Sequence, residues 1–290
     1  MRQAVRTCPA WWGDLGNGAT YLPRPMRFAF TKMHGLGNDF VVIDARGQIA
    51  TVTPGRARAI ADRQRGIGCD QLILLEESNA ADLRMRIFNA DGGEVEQCGN
   101  ALRCVAQLTG AKRIETAGGI VTAALAGDGV TVDMGAPRFD WDAIPLAYPL
   151  DTADMPVAWG PLAHGTAINV GNPHIVFFVG VPVDLGAIGP EIERDPLFPE
   201  RINVNVATVT GSSSLDLHVW ERGVGRTRAC GTGACATGVV AIRRGLVTAP
   251  VTVTLPGGNL LIDWVPGGTI RMTGPARRVF DGTAKWEAFG

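Results

Sequence analysis

The chain has 290 residues, 46% of them apolar, and a formal net charge of −1. That length allows one large or two medium domains. The balanced charge, with no basic run, argues against a nucleic-acid partner, and no stretch approaches the ~20 apolar residues of a membrane span.

Residues 1–25 hold Arg2, Arg6, Trp11 and Trp12 among Gly and Pro, without periodicity. They lack the ~7–15-residue apolar core of a signal peptide. Two readings stand: a disordered extension, or a true start at Met26, where Arg27-Phe28-Ala29-Phe30 opens the patterned sequence. Without a secretion signal, a cytoplasmic, reducing setting is expected, and the six cysteines are read as free. The chain has no Cys-x-x-Cys pair and its four His are scattered, so no metal site is expected.

Beyond Met26, Gly37-Asn38 is followed by the apolar run Phe40-Val41-Val42-Ile43, which predicts a buried strand. Pro54 suits a first helical turn and predicts a helix over 54–65. Strands are expected at 72–76 and 83–88, and a helix over 98–109 stops near Gly110. Strands at 120–125 and 130–134 flank the hairpin signal Gly127-Asp128-Gly129. The Pro-rich stretch 137–156 reads as an inter-domain connector. Strands follow at 166–170, 175–179, 204–209 and 215–220, then a helix over 230–244 ending near Gly245. The last strands, 251–255, 259–264 and 269–272, are joined through Pro256-Gly257-Gly258 and Pro266-Gly267-Gly268.

The two halves repeat each other. Gly37-Asn38 and its apolar run match Gly171-Asn172-Pro173-His174-Ile175-Val176-Phe177-Phe178, and Cys98-Gly99-Asn100-Ala101 matches Cys230-Gly231-Thr232-Gly233. From Asn38 to Cys98 is 60 residues; from Asn172 to Cys230 is 58. Two motifs recurring in order at nearly equal spacing point to duplicated halves.

The repeat singles out two of the six thiols. Cys98 and Cys230 each open a predicted helix, where the macrodipole and free N–H groups are expected to lower a thiol pKa. Gly99 and Gly231 permit close approach, so a carboxylate can rest on the N–H groups that follow. Cys104 and Cys235 fall inside the helices and read as core, and Cys69 reads as a structural turn residue. Two thiols facing one cleft suit stereoinversion at a carbon acid: one removes the α-proton and the other reprotonates the opposite face. No pyridoxal-binding lysine motif is evident, so no cofactor is expected.

Several segments resemble diaminopimelate epimerase. They include Lys32-Met33-His34-Gly35-Leu36-Gly37-Asn38-Asp39-Phe40, Gly66-Ile67-Gly68-Cys69-Asp70-Gln71 and Arg86-Ile87-Phe88-Asn89-Ala90-Asp91-Gly92. Gln97-Cys98-Gly99-Asn100, Gly171-Asn172-Pro173-His174, and Glu221-Arg222-Gly223 through Ala229-Cys230-Gly231-Thr232-Gly233 complete the set, so the resemblance spans residues 26–290. It implies epimerisation of LL-2,6-diaminoheptanedioate to the meso isomer, in lysine and cell-wall precursor synthesis, with Cys98 and Cys230 as proton donor and acceptor. It implies substrate contacts from Asn38, Gln71, Asn89, Gly99, Asn100, Asn172, Asn203, Glu221, Arg222, Gly231 and Thr232, with His174 and Glu221 supporting catalysis. Arg222 suits a fork onto the distal carboxylate and Glu221 suits an ammonium.

The implied fold is an α/β (α+β type) chain of two pseudo-symmetric domains, each a curled, mostly antiparallel sheet around a central helix. Their expected extents are 26–142 with 277–290, and 143–276. A homodimer is also implied; Phe280 stands where the family often has Tyr at the dimer contact. Three other readings compete. A proline or hydroxyproline racemase would show Cys-Gly-His rather than Cys-Gly-Asn at the first motif. An inactive binding module would be favoured by loss of a cysteine, yet both are present. A thiol redox sensor would close the two thiols into a disulfide.

Overall fold

The computed structural model describes residues 26–47 and 51–290, so the readings made for residues 1–25 lie outside it. The first half runs β1 (Arg27–Gly35), β2 (Asn38–Asp44), α1 (Pro54–Ala61), β3 (Gln71–Glu76), β4 (Leu83–Asn89), β5 (Glu94–Val95), α2 (Gly99–Thr109), β6 (Arg113–Thr116), β7 (Gly119–Ala126) and β8 (Gly129–Asp133). A small hairpin follows, β9 (Ala158–Trp159) with β10 (Leu162–Ala163). The second half then runs β11 (Thr166–Asn169), β12 (Pro173–Phe178), α3 (Leu185–Glu193), β13 (Asn203–Gly211), β14 (Ser214–Glu221), β15 (Gly225–Thr227), α4 (Gly231–Arg243), β16 (Val251–Leu255), β17 (Gly258–Asp263) and β18 (Arg271–Pro275), followed by β19 (Arg277–Lys285) and a short 3-10 helix (Trp286–Phe289).

The pairings repeat strand for strand. β1 and β2 are antiparallel, as are β11 and β12. β2 runs parallel to β3, and β12 to β13. β4 takes β5 antiparallel and β6 parallel; β14 does the same with β15 and β16. The fold is therefore a mixed α+β architecture built from an internal repeat. β8 pairs with β18, which stitches the halves together, and β19 returns to pair with β1.

Helices α2 and α4 lie in one shared core that also takes Met33, Phe40, Ile87, Val132, Val219, Ile262 and Met272. A second core under α3 gathers Phe177, Ile188, Ile192, Phe198 and Val204. A third, under α1, gathers Phe28, Val41, Ile60, Leu74 and Trp286. Each half thus carries a sheet with one helix on either face. No helix among the described residues is long and apolar enough to cross a membrane.

Several expectations shift. The first helix stops at Ala61 rather than 65, because Asp62 leaves helical geometry (ψ 120°) and its carboxylate caps the N–H groups of Gln64 and Arg65. α3 was not foreseen: Gly186, Gly189 and Pro190 interrupt its pattern, yet Asp184 caps it and Gly189 lets it press on Trp220. The stretch 137–156 is more than a connector, since Ile144, Leu146 and Met155 are buried in the second core.

Candidate active site

Cys98 and Cys230 occupy the same structural position. Each is the extended N-cap residue of its helix, with φ/ψ of −146°/110° before α2 and −115°/108° before α4. Behind them the helices end as the sequence indicates: Gly110 adopts φ 73° and Gly245 φ 68°, the left-handed conformation that glycine supplies.

The two helix starts meet. Asn100 Nδ2 donates to Asn38 Oδ1 at 3.1 Å and approaches the carbonyl of Ala229, the residue before Cys230, at 3.4 Å. Met272 fills the space between them. A Cβ on Gly99 would come within 2.7 Å of its Cε, and one on Gly231 within 3.3 Å of its Sδ. A side chain at 99 would therefore displace the end of the Met272 side chain.

Around Cys98, the thiol faces Asn38 Oδ1 at 3.9 Å, while Asn38 Nδ2 donates to Asp70 at 3.0 Å. Gln71 and Asn89 sit opposite each other on β3 and β4, and Gln71 Nε2 donates to Asn89 Oδ1 at 2.9 Å. Gln71 Oε1 is buried with no partner, the kind of acceptor an ammonium group satisfies.

Around Cys230, the Gly233 N–H reaches the sulfur at 3.3 Å and the Thr232 hydroxyl lies at 3.5 Å. The Glu221 carboxylate accepts from the Thr227 hydroxyl and lies beside the Cys230 thiol. Burial raises the Glu221 pKa, and these two neighbours only partly offset it.

His174 is fully buried and held at both ring nitrogens. Asn205 Nδ2 donates to Nδ1 at 3.1 Å, which leaves the Nε2 proton to donate to Asn172 Oδ1 at 2.8 Å. Burial drives its pKa down to about 3, so the ring is neutral at physiological pH and its Nε2–H is free to bond Asn172. Asn203 is equally committed: its amide donates to Pro173 and its oxygen accepts the Arg222 N–H. The Arg222 guanidinium is exposed and bonds the Glu200 carbonyl.

The expected lowering of the two thiol pKa values is reversed. Desolvation by packed protein pushes both up, although Cys98 keeps some surface exposure. N–H groups at the helix starts act the other way and are outweighed. For Cys230, the Glu221 charge adds to the rise. Cys104 and Cys235 are buried core residues, as expected, and Cys69 is buried with its pKa near 11.

Contacts set Asn38 against Cys98 and Asn100, Gln71 against Asn89, Thr232 against Cys230, Asn172 against His174, and Asn203 against the Arg222 backbone, while the Arg222 guanidinium turns to the Glu200 carbonyl. Phe280 lies instead on β19, exposed, edge-on to Phe30. Asn205, Thr227, Met272 and Arg103 were missed. The alternation Asn203-Val204-Asn205-Val206 could have revealed Asn205, since it puts both amides on one face of the strand. A separate hollow of about 430 Å³, between Pro54, Arg58, Arg86, Phe88 and Glu94, holds neither thiol and lies outside this site.

The model of the diaminopimelate epimerase family matches residues 30–139 and 166–279. A diaminopimelate epimerase from Sphingopyxis alaskensis is 66% identical over 264 residues, covering 90% of this chain and 98% of that protein. One from Zymomonas mobilis is 54% identical, covering 91% and 100%. Among solved structures, a hydroxyproline epimerase from Agrobacterium vitis superposes with a TM-score of 0.60 at 16% identity, covering 89% of this chain and 92% of that one. A phenazine biosynthesis protein from Bacillus anthracis gives 0.61 at 16%, covering 89% and 99%. At such identities the solved structures support the fold alone.

Proposed function

This chain belongs to the diaminopimelate epimerase family, isomerases that convert the LL isomer to the meso isomer, and we propose that Cys98 and Cys230 are its acid–base pair. One thiolate takes the α-proton and the opposite thiol returns a proton to the other face; the reverse reaction exchanges their roles. The observation that carries this reading is the matched placement of the two cysteines, each an N-cap, on helices whose first turns are tied by Asn100.

The same placement supports the remaining roles. N–H groups at Gly99, Asn100, Gly231 and Thr232 suit the α-carboxylate and the charge that develops beside it. Gln71, Asn89, Asn38, Asn172 and Asn203 supply amide donors and acceptors for the ammonium and carboxylate groups. Arg222, long and exposed, suits the distal carboxylate. Glu221 and His174 act on the site by holding Cys230 and Asn172.

The homodimer and a cytoplasmic setting belong to the same proposal. β19 is an edge strand with Val279 and Phe280 exposed, a surface that favours pairing. Incubation with the LL isomer in D2O, with no added cofactor, tests the reading. Meso product carrying α-deuterium is expected; product without deuterium, or none from reduced protein, would contradict it.

A further inference from the structure

Arg103 is the largest fully buried side chain among the described residues, and none of its partners is a carboxylate. It donates to Asn100 Oδ1 at 2.8 Å and to the Pro275 carbonyl at 3.3 Å, and reaches the Gly99 carbonyl at 3.5 Å and Met272 Sδ at 3.6 Å. A guanidinium taken out of water without a counter-ion favours any anion formed near it. The titratable groups around it are Cys98 and Cys104 on its own helix and Cys235 from α4. Cys104 and Cys235 are pushed to about 12 and stay neutral, which leaves Cys98 as the group whose ionisation Arg103 can serve. Facing Cys98 from β14 is Glu221, which acts in the opposite sense and, on this thiol, more strongly than Arg103; on Cys230 the Glu221 charge has no such cation against it.

The repeat makes this one-sided. Five residues past Cys98 stands Arg103; five past Cys230 stands Cys235. Cys98 thus has a buried cation beneath its helix start, and Cys230 has the Glu221 carboxylate beside its sulfur. The Arg103 bond also fixes the Asn100 amide, whose Nδ2 must then point to Asn38 and Ala229.

We propose that Arg103 is a positioning residue for the thiol pair: it locks the Asn100 amide between the two helix starts and, as a buried cation at the Cys98 helix start, makes Cys98 the first of the two thiols to ionise. This rests on the two-cysteine reading above.

The test is site-resolved alkylation by iodoacetamide against pH, read by mass spectrometry on the Cys98 and Cys230 peptides of the full chain, beside kcat and KM. In the unsubstituted protein Cys98 reacts at lower pH than Cys230. In Arg103→Met the Cys98 profile moves up by about one pH unit while that of Cys230 stays. There kcat falls about tenfold, roughly the loss of one modest charge interaction, with KM little changed. Arg103→Lys, which keeps the charge but not the fork, restores the Cys98 profile and only part of kcat. An unmoved Cys98 profile in the Met variant, or equal profiles for the two thiols in the unsubstituted protein, would overturn the proposal. Should Arg103→Met fail to fold, a Lys profile displaced upward would overturn it equally. Alkylation reports on Cys98 whether or not the thiol is catalytic, so its outcome is separable from turnover by Cys98→Ala, which judges the two-cysteine reading.

Discussion

Asn100 Nδ2 lies 3.4 Å from the Ala229 carbonyl, so the first turn of one cysteine helix is tied to the residue that precedes the other cysteine. The halves share this tie, the Met272 wedge and the β8–β18 pairing. These contacts join the shared core around α2 and α4 in placing the two helix starts relative to each other.

Removing the tie should cost both stability and turnover. Asn100→Ala leaves the Arg103 donor at 2.8 Å without its acceptor, which costs about 1–3 kcal/mol for a buried group. Urea unfolding should show a lower midpoint with the slope unchanged, and kcat should fall at least as far. An unchanged midpoint with full activity would mean that Asn100 is idle.

His174 should stay neutral where an ordinary imidazole titrates. Its folded pKa is near 3, whereas an unfolded His takes a proton near 6.5. Below about 6.5 the unfolded state binds a proton that the folded state refuses, so this group's stability contribution is lost as pH falls from about 6.5 towards 3. His174→Gln should thus flatten the fall in melting temperature between pH 7 and pH 4. In nitrogen NMR the ring should remain the Nε2–H tautomer at pH 5; a protonated ring there contradicts the buried geometry.

Glu221 should hold Cys230 in the thiol form. Replacing it as Glu221→Gln removes the negative charge that raises Cys230 and, more weakly, Cys98. Alkylation of Cys230 should then begin at lower pH, with that of Cys98 shifted less in the same direction. Turnover should still fall, because a neutral amide is a weaker partner for the thiol than the carboxylate. A Cys230 profile that stays in place would separate Glu221 from the thiol.

Both thiols are raised by burial in the free protein, so kcat/KM should climb with pH through 8, by up to about tenfold per unit on the acid side. A flat profile between pH 6 and 8 would place one thiolate well below the ordinary range.

Phe280→Lys puts a charge on the edge strand β19, where Phe280 is 49% exposed. Sedimentation should show a dimer for the unsubstituted chain and a monomer for the variant. A variant dimer of undiminished affinity would move the interface elsewhere.

Much of this was legible in the sequence because the repeat preserved it. Cys98 and Cys230 stood at predicted helix starts, and the predicted strands reappear with ends displaced by up to three residues. Three features were hidden for physical reasons. α3 carries Gly186, Gly189 and Pro190, which read as breakers until Trp220 is seen packed against Gly189. β19 is almost wholly exposed and so lacks an apolar pattern; only its pairing with β1 makes it a strand. The thiol pKa values followed from burial by residues distant in sequence, which outweighs the local helix effect that sequence does reveal. Arg103 reads as a surface charge on any helical wheel, yet Gly35 and Gly274 leave room for its side chain beside them.

The central claim is that two thiols, not one, carry the proton across. The direct measurement is turnover of the LL isomer by Cys98→Ala and by Cys230→Ala, each checked for an unchanged fold, with meso product followed by chiral chromatography. Two bases in series predict loss of product formation in both variants. Near-normal turnover in either one would contradict the account.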